Sequence, residues 1–407
     1  MTTGAFNSGQ LTQDLAAKSF AGMITRLMPN GVAPLFGLTA MLTAETAVQQ
    51  EHGFFTKTML FPQITLSANI AATDTTLPVT STLNLIPGMI LQFDSTKENV
   101  IVNSIVSGTA VNVTRGFGTI SAGAVLSGVA AFQVGNAFEE GSVRPNALII
   151  NPVRITNLTQ IFRNTWAVTD SVRATLMIAG DTNVAESRQD CAAFHAADIE
   201  KALFFGQKSQ GVRNGQPIRT MDGLISIVGN LSYYPSSLYS TPNVSTAGGT
   251  TNYTQLEGFL DPVFNQTTDP KVANERVLFV GATAKRVINN IGRLNGTYYL
   301  VDGQTSYGLQ FSTIKTSRGT FRLIEHPLFN SNSSWAKLAV AVDISTFKVA
   351  YLGDRKTQSK DFNAEMGDAD DNGIDAVGGT LTTEMTCVVK NPPANAIIYN
   401  MTAAAVG

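Results

Sequence analysis

Few residues in this chain have both the type and the spacing that chemistry requires. The three histidines, His52, His195 and His326, are far apart and form no His-x-x-x-His or Glu-x-x-His pattern, which argues against a metal centre or a catalytic triad. The two cysteines, Cys191 and Cys387, are also too far apart to supply a zinc knuckle. We therefore predict a protein with no catalytic residues and no cofactor.

One acidic stretch matches the first half of a calcium-binding loop. Asp368, Asp370 and Asn372 place oxygen ligands at alternate positions, and Gly373 follows where such loops turn sharply. The twelfth position, which should be a bidentate glutamate, is Gly379. The main interpretation is an exposed acidic turn, and the alternative is a weak metal site at these three residues.

A glycine between a predicted strand and a predicted helix invites comparison with a phosphate-binding loop. Such a loop needs two glycines five positions apart, followed by Lys and then Ser or Thr. After Gly281, however, Lys285 is followed by Arg286, and the earlier glycine is absent. We predict an ordinary strand-to-helix turn.

The composition points instead to contacts between subunits. Only 14% of the 407 residues are charged, against roughly a quarter in ordinary soluble proteins. Uncharged polar side chains are cheaper to desolvate than lone charges, so such a surface suits extended interfaces. The 28 basic and 30 acidic residues give a formal charge of -2 without any basic run, which argues against a dedicated nucleic-acid binder.

The sequence also bears on the compartment. The first residues lack the charged and apolar blocks of a signal peptide, and no stretch approaches the roughly 18 apolar residues that a membrane helix needs. We expect a protein that is made in the cytoplasm and does not associate with a membrane. In that reducing compartment, Cys191 and Cys387 are expected to be buried free thiols.

The hydrophobic pattern predicts a mixed α+β protein. Amphipathic patterns predict helices at 10–28, 38–50, 255–264 and 282–291, and the clearest helix spans 181–207. Short strands fill much of the remaining chain. The side chains expected near one face of the long helix are Val184, Cys191, Phe194, Asp198, Leu203 and Phe205, with Glu200 among those that flank this face.

Between about 62 and 135 the pattern changes to short alternating runs that are separated by turn residues. This spacing is typical of a small β-sandwich or barrel, and we predict an inserted domain of about 70 residues. The candidate strands are 76–79, 89–93, 100–102, 110–114 and 131–134.

In this order, the parts of the chain resemble the major capsid proteins of tailed bacteriophages, which have the Hong Kong 97-like fold. The likeness is to the branch that carries a β-domain inserted in the extended loop. It covers almost the whole chain, and the order of the segments carries it more than any single motif. The segments are 110–119 (AVNVTRGFGT), 134–142 (VGNAFEEGS), 197–206 (ADIEKALFFG), 219–224 (RTMDGL), 325–328 (EHPL), 351–355 (YLGDR) and 383–391 (TEMTCVVKN).

This resemblance implies a division of the chain into the parts of a capsid subunit. The predicted parts are an N-terminal arm at 1–53, extended-loop strands at 54–61 and 138–160, the inserted β-domain at 62–137, a peripheral domain at 161–220 and 344–407 with the spine helix at 181–207, and an axial domain at 221–343.

The resemblance also implies a function. Copies would assemble as hexamers and pentamers into the icosahedral head of a phage, in the host bacterial cytoplasm, with double-stranded DNA in weak luminal contact. A portal and possibly a decoration protein would be partners. Because no long charged helical segment precedes Gln10, a separate scaffolding protein is expected. The alternative is the shell protein of an encapsulin-like nanocompartment with the same fold.

On the same resemblance, contacts between subunits are assigned to residues of the extended loop. Some relatives form a covalent lysine-to-asparagine crosslink, for which Lys57 with Asn391 or Asn395 would be the candidates here. No catalytic carboxylate can be assigned, so non-covalent interlocking is the expectation. The predicted intersubunit residues are Phe54, Phe55, Lys57, Arg144 and Arg154.

Overall fold

The computed structural model describes most of the chain in two units. By its internal contacts the chain divides into Phe55–Arg154 and a larger unit that consists of Met1–Phe54 with Ile155–Gly407. The helix predicted at 10–28 lies outside the described residues. The described residues are 33–40, 42–57, 62–145, 147, 151–175, 183–234, 241–265, 274–294, 301–306, 309–362 and 376–405.

Helices and strands are mixed along the larger unit, so the predicted α+β class is confirmed. The α-helices are α1 (Pro34–Ala40), α2 (Asp170–Ala174), α3 (Asn183–Phe205), α4 (Leu224–Gly229), α5 (Tyr253–Leu260) and α6 (Ala282–Leu294). The strands are β1 (Glu45–Ala47), β2 (Glu51–Thr56), β3 (Gln63–Thr65), β4 (Thr76–Pro78), β5 (Met89–Phe93), β6 (Asn99–Ser107), β7 (Ala110–Thr114), β8 (Ala130–Asn136), β9 (Val153–Leu158), β10 (Gln160–Thr169), β11 (Ser209–Arg213), β12 (Gln216–Thr220), β13 (Val244–Thr251), β14 (Glu275–Val280), β15 (Val301–Ser306), β16 (Leu309–Lys315), β17 (Thr320–Glu325), β18 (Ala339–Val342), β19 (Phe347–Leu352), β20 (Gln358–Phe362), β21 (Ala376–Val389) and β22 (Ala396–Ala404).

A seven-stranded sheet separates two hydrophobic cores of the larger unit. Its strand order is β13-β22-β18-β14-β17-β16-β15. In β14, Phe279 lies in the core that includes α3 and α4, whereas Leu278 and Val280 lie in the core that includes α5 and α6. Because both faces are covered there, β18 (AVAV) and the last four residues of β14 (VLFV) are continuous apolar runs rather than alternating ones.

A second sheet of the larger unit is organised around β21. Strands β10, β19 and β20 all pair with β21, and β1 pairs in parallel with β19. The register of β10 runs from Gln160 opposite Met385 to Thr169 opposite Ala376. Helix α3 packs on one face of this sheet, where Cys191 joins the small core of β10.

The long helix α3 lies within the predicted range 181–207, but its buried face differs from the prediction. Cys191 is buried as expected, whereas Phe194 is 61% exposed and Asp198 is exposed as well. Glu200, which was expected to flank the buried face, is fully buried. This part of the prediction was wrong because Glu200 finds hydrogen-bond partners inside the unit, so its burial leaves no charge uncompensated.

The helix predicted at 38–50 is also corrected by the structure. Helix α1 begins earlier and ends at Ala40, and the chain then forms strand β1. Ala47 of this strand is fully buried beside Ala350 and Val388. Burial against the sheet therefore outweighs the local helical pattern.

The smaller unit contains a six-stranded barrel. Its strands follow the order β3-β8-β5-β6-β7-β4. Leu66 and Val79, just beyond β3 and β4, form an antiparallel bridge, and Thr80 N donates to Thr65 O over 2.9 Å. These bonds join the two edges and so remove them as sites of unwanted pairing. Of the two architectures left open by the sequence, the strands adopt the barrel.

A buried ion pair stabilises the loops at one end of the barrel. Glu98 is fully buried, and Arg115 donates to it from Nε (2.7 Å) and from a terminal nitrogen (2.8 Å). Burial raises the pKa of Glu98, but the hydrogen bonds from Arg115, Gly116 and Gly123 outweigh burial and hold the pKa below its ordinary value of 4.5. This stabilisation is therefore present above pH 4.5, and it is lost as the pH falls through the folded-state pKa.

Replacing Arg115 with methionine should destabilise the barrel by about 3–5 kcal/mol, because the buried Glu98 loses its cation. Hydrogen–deuterium exchange over residues 63–136 of the full-length protein measures this loss. Lys97→Met is the matched control, since Lys97 pairs with Asp94 on the surface, and its removal should cost less than about 1 kcal/mol. Equal protection in the two variants would contradict the assigned role of Arg115.

Candidate assembly surfaces

A hairpin of β11 and β12 is the most exposed regular element of the larger unit. These strands pair with each other and with no other strand of the described chain, and every residue of β11 is exposed. The tip is Asn214-Gly215, both with positive φ (53° and 74°), which fits the type I′ turn that Asn-Gly favours. A lone hairpin is marginally stable in water, so its base has to be held by the rest of the unit.

The first anchor of the hairpin is Asp222, which is buried just after β12. Its carboxylate accepts hydrogen bonds from Lys208 N (2.7 Å), Ser226 Oγ (2.7 Å) and the Tyr233 hydroxyl. Burial and the hydrogen bond to Asp222 raise the pKa of Tyr233 well above its ordinary range, so this phenol stays protonated. Both chain ends of the hairpin are thereby joined to the core.

The second anchor is Glu384 of β21, which is also buried. Thr159 Oγ1 donates to it over 3.0 Å, a terminal nitrogen of Arg355 over 2.8 Å, and a terminal nitrogen of Arg219 in β12 lies 3.6 Å from it. A buried carboxylate requires such partners. The position of β12 is therefore coupled to the central strand of the second sheet.

Beyond these anchors, the hairpin presents apolar side chains to the outside. Val212 is 74% exposed, and Ile218 is exposed as well. Val212 pairs with Pro217 and Ile218 with Gly211, so the two side chains are available to another chain on opposite faces of the hairpin. Sequence reasoning missed this element, although the Asn-Gly pair between two short runs is a recognised hairpin signal.

Helix α3 holds the start of α1 through Glu200. Glu200 Oε1 accepts from Leu35 N (2.8 Å) and lies 2.7 Å from His326 Nε2, while Oε2 accepts from Phe36 N (2.7 Å). The His326 ring stacks on Phe329 at 4.4 Å. The chain segment that enters α1 is therefore fixed to the core of the larger unit.

The three residues in and just after β2 that were predicted to belong to an extended loop have different environments. Phe54 is half-buried and packs against the main core of the larger unit. Phe55 is 70% exposed, and Lys57 is exposed. Of the three, Phe55 and Lys57 have side chains available to another chain, whereas part of Phe54 is already used within its own unit.

In the smaller unit, Arg144 is exposed and lines a cavity of about 430 Å³ beside Phe138 and Val143. The Phe138 ring lies against Gly88, where a Cβ would be 2.4 Å from it, and Gly88 has a φ of +92°. Only glycine fits both conditions. Arg154 is exposed at the end of this unit.

The histidines and cysteines lie in separate environments. Among the described residues, no group of three or more His, Cys, Asp or Glu is arranged to hold a metal ion. Both cysteines are free and buried. Burial raises the pKa of Cys191, and burial together with Asp222 raises that of Cys387 to about 12. Neither thiol is therefore a thiolate near neutral pH.

His195 joins the long helix to the second sheet. Its Nδ1 lies 2.7 Å from Asn164 Oδ1, and its Nε2 lies 2.8 Å from Thr383 Oγ1. Burial lowers the pKa of His195, although the charge of Asp198 offsets part of this effect. In the folded protein the His195 imidazole is therefore neutral near pH 7.

Two further motifs from the sequence are the calcium-loop candidates and the glycine between a predicted strand and a predicted helix. The calcium-loop candidates Asp368, Asp370 and Asn372 lie outside the described residues. A Cβ at Gly281 would lie 2.5 Å from Ala336 O, so this glycine permits a close approach of two backbones.

The crosslink candidates near the end of the chain are buried. Asn395 is fully buried, its amide donates to Asn391 O (2.9 Å), and its Oδ1 accepts from Asp343 N (2.9 Å). Asn391 is also buried.

No helix in the described part of the chain is long and apolar enough to cross a membrane.

Comparison with known proteins gives a family match over nearly the whole chain. The family model for the SU10 major capsid protein matches residues 1–402. The major capsid protein of Pseudomonas phage PaMx41 is 37% identical over 406 residues, which is 98% of this chain and 96% of the relative.

The solved structures that align with this chain are more distant. The Mycobacterium phage Bobi structure aligns with a TM-score of 0.46 and 9% identity, covering 97% of this chain and 99% of that one. The capsid of the empty GTA particle aligns with a TM-score of 0.46 and 8% identity, over 98% and 100%. The holo-SrpI encapsulin complex from Synechococcus elongatus gives 0.42 and 10%, over 62% and 78%. The identification therefore depends on the family model and the phage relative.

The neutral state of His195 gives a pH prediction. Because its pKa is lowered in the folded state, the unfolded chain binds the proton more readily below pH 6.5, and stability should fall as the pH drops. Unfolding of the unassembled protein in urea at pH 7.5 and 5.5 measures this change. His195→Gln should show a smaller difference between the two pH values. An unchanged difference in His195→Gln would contradict the assignment.

Proposed function

The chain belongs to the SU10 major capsid protein family and is the major capsid protein of a phage; from this we propose that its copies assemble as hexamers and pentamers into an icosahedral head that encloses double-stranded DNA. The observation that carries the proposal is the family match across residues 1–402. It agrees with the Hong Kong 97-like resemblance described above. The same match favours a phage head over a nanocompartment shell.

The described surfaces support assembly through protruding elements. The hairpin of β11 and β12 has an anchored base and exposed apolar residues at Val212 and Ile218. Phe194 of the larger unit and Phe55 at the start of the smaller unit are further exposed aromatic side chains. Apolar and aromatic residues of this kind provide most of the energy of protein interfaces.

We assign the parts of the subunit as the resemblance implies. Phe55, Lys57, Arg144 and Arg154 are proposed to contact neighbouring subunits, with Phe54 bridging such a contact to its own core. A scaffolding protein, a portal and a decoration protein are proposed partners, and assembly is proposed to occur in the host bacterial cytoplasm. The proposed parts are the arm at 1–53, the extended loop at 54–61 and 138–160, the inserted domain at 62–137, the peripheral domain at 161–220 and 344–407, and the axial domain at 221–343.

Electron microscopy of the protein, expressed alone and with its neighbouring genes, tests the proposal. Closed shells, rings or tubes are expected in at least one of the two cases, because the exposed apolar surfaces are buried only by other copies. A monodisperse monomer in both cases would overturn it.

Val212→Asp should leave the subunit folded and impair assembly. The side chain is 74% exposed in the subunit, but an interface that covers it would have to desolvate a carboxylate. The critical concentration for shell formation, measured by light scattering, should rise at least about tenfold, which corresponds to roughly 1.4 kcal/mol per contact.

Val212→Thr is the matched control, because it keeps the shape of the side chain without a charge. It should assemble close to the wild-type concentration. Shells of Val212→Asp that form at the wild-type concentration would remove the hairpin from the proposed contacts.

Removing the barrel should weaken the shell without unfolding the larger unit, because the barrel core consists of residues of the smaller unit alone. Gln63 and Phe132 are paired across β3 and β8, so a short Gly-Ser linker can replace the residues between them. Shells of this variant should dissociate at a lower denaturant concentration than wild-type shells. Unchanged shell stability would contradict a contact role for the barrel.

A further inference from the structure

The outside of the barrel carries apolar side chains in its central strands. Leu91 of β5 and Ala131 of β8 belong to the barrel core, and because side chains alternate along a strand, their neighbours point outward. Phe132 is 46% exposed and Val134 is 55% exposed. The outward side chains of β8, β5 and β6, which we call the outer wall, are Phe132, Val134, Ile90, Gln92, Asn99 and Ile101.

Cross-strand pairing joins the outer wall into one surface. Phe132 lies opposite Gln92, and Ile90 lies opposite Ile101. Val134 is the extra residue of a β-bulge beside Ile90, and such bulges redirect a side chain. None of the residues of the outer wall is charged. The outer wall is therefore mainly apolar, with two amide side chains at its edge.

The outer wall continues into the cavity of about 430 Å³ that Arg144 lines. Ile101 belongs to both, since it also lines this cavity together with Phe138 and Val143. Phe138 is partly exposed and Val143 is almost fully exposed. An extended apolar patch on the surface of a folded domain marks a site of interaction, and aromatic residues without charges are typical of the centre of a protein interface.

Two side chains of opposite charge lie at this apolar surface. Glu139 and Arg144 both line the cavity and are exposed. Within the described residues, neither side chain has a hydrogen-bond or ion-pair partner. The adjacent Glu140 is exposed as well and does not line the cavity. The surface thus offers one acid and one base that are both available to another chain.

A surface with an available acid and an available base is complementary to a second copy of itself. About a two-fold axis, residue i of one copy contacts residue j of the other, and j contacts i. Glu139 of each copy can therefore pair with Arg144 of its partner. A purely acidic or purely basic partner would satisfy only one of these two groups.

We propose that the outer wall and the adjoining cavity form a two-fold contact between the barrels of two neighbouring subunits, an inference that rests on the proposed function. Phe132, Val134 and Ile101 are buried against the same surface of the second copy. The two pairs between Glu139 and Arg144 lie at the rim, where charge complementarity fixes the register of the partners.

Charge reversal in the full-length protein tests the proposal. Glu139→Arg or Arg144→Glu alone turns both attractive pairs of the two-fold contact into repulsive ones. At low salt, the critical concentration for shell formation, measured by light scattering, should rise at least about tenfold in either variant. This loss should become smaller as the salt concentration increases, because exposed charges are screened.

An equimolar mixture of the two variants should assemble close to the wild-type concentration. In a mixed contact, the two basic side chains of one copy face the two acidic side chains of the other, so both pairs are attractive again. A contact with any other surface or protein is not restored in this way. A mixture that assembles no better than its components would overturn the proposal, as would wild-type concentrations for both single variants.

Asp94→Arg is the matched control, because it makes the same change as Glu139→Arg at the other end of β5. Asp94 forms an exposed ion pair with Lys97, and this variant should assemble at the wild-type concentration. Hydrogen–deuterium exchange over residues 63–136 checks that all variants keep the folded barrel.

Analytical ultracentrifugation of the unassembled proteins separates this inference from the proposed function. Dimers of the wild type and of the mixture, but of neither single variant, support the contact without any shell, and the absence of shells would then contradict the proposed function alone. Shells from the wild type with unaltered assembly of both variants overturn the inference and leave the capsid function standing. A wild type that forms neither dimers nor shells contradicts both.

Discussion

A buried carboxylate fixes the geometry around the long helix. Glu200 is satisfied by two backbone amides at the start of α1 and by His326, which follows β17. Because an unpaired buried charge costs several kcal/mol, these three partners have to be in place whenever the core is closed. One side chain thus holds α1, α3 and the turn after β17 in a single arrangement.

This arrangement explains how exposed elements can be rigid. The hairpin of β11 and β12 has no sheet partner of its own, but its base is joined to buried Asp222 and Glu384. The tip is therefore exposed while the position of its base is set by the core. An element held in this way loses little conformational freedom when another subunit covers it, which lowers the entropic cost of assembly.

The low charge content has a related structural consequence. Several of the charged residues lie inside the two units rather than on their surfaces, so the outer surface is poorer in charge than the composition suggests. Burial lowers the pKa of Arg276, and Asp343 offsets part of this effect. The buried carboxylates and their side-chain partners are Glu98 with Arg115, Asp343 with Arg276, Glu200 with His326, and Glu384 with Arg219 and the partly exposed Arg355.

The sequence by itself determined the class of the fold, the long helix, most strands of the barrel and, through the order of its segments, the family. These features follow from the local hydrophobic periodicity, the turn residues and the order of the segments, all of which can be read from the sequence alone. Only the tertiary structure decided that Glu200 is buried, that 45–47 form a strand, and that Arg219 and Arg355 from separate segments meet at buried Glu384. Glu200 and His326 are 126 positions apart, and the compensation of a charge by a distant partner leaves no trace in the local pattern of either segment.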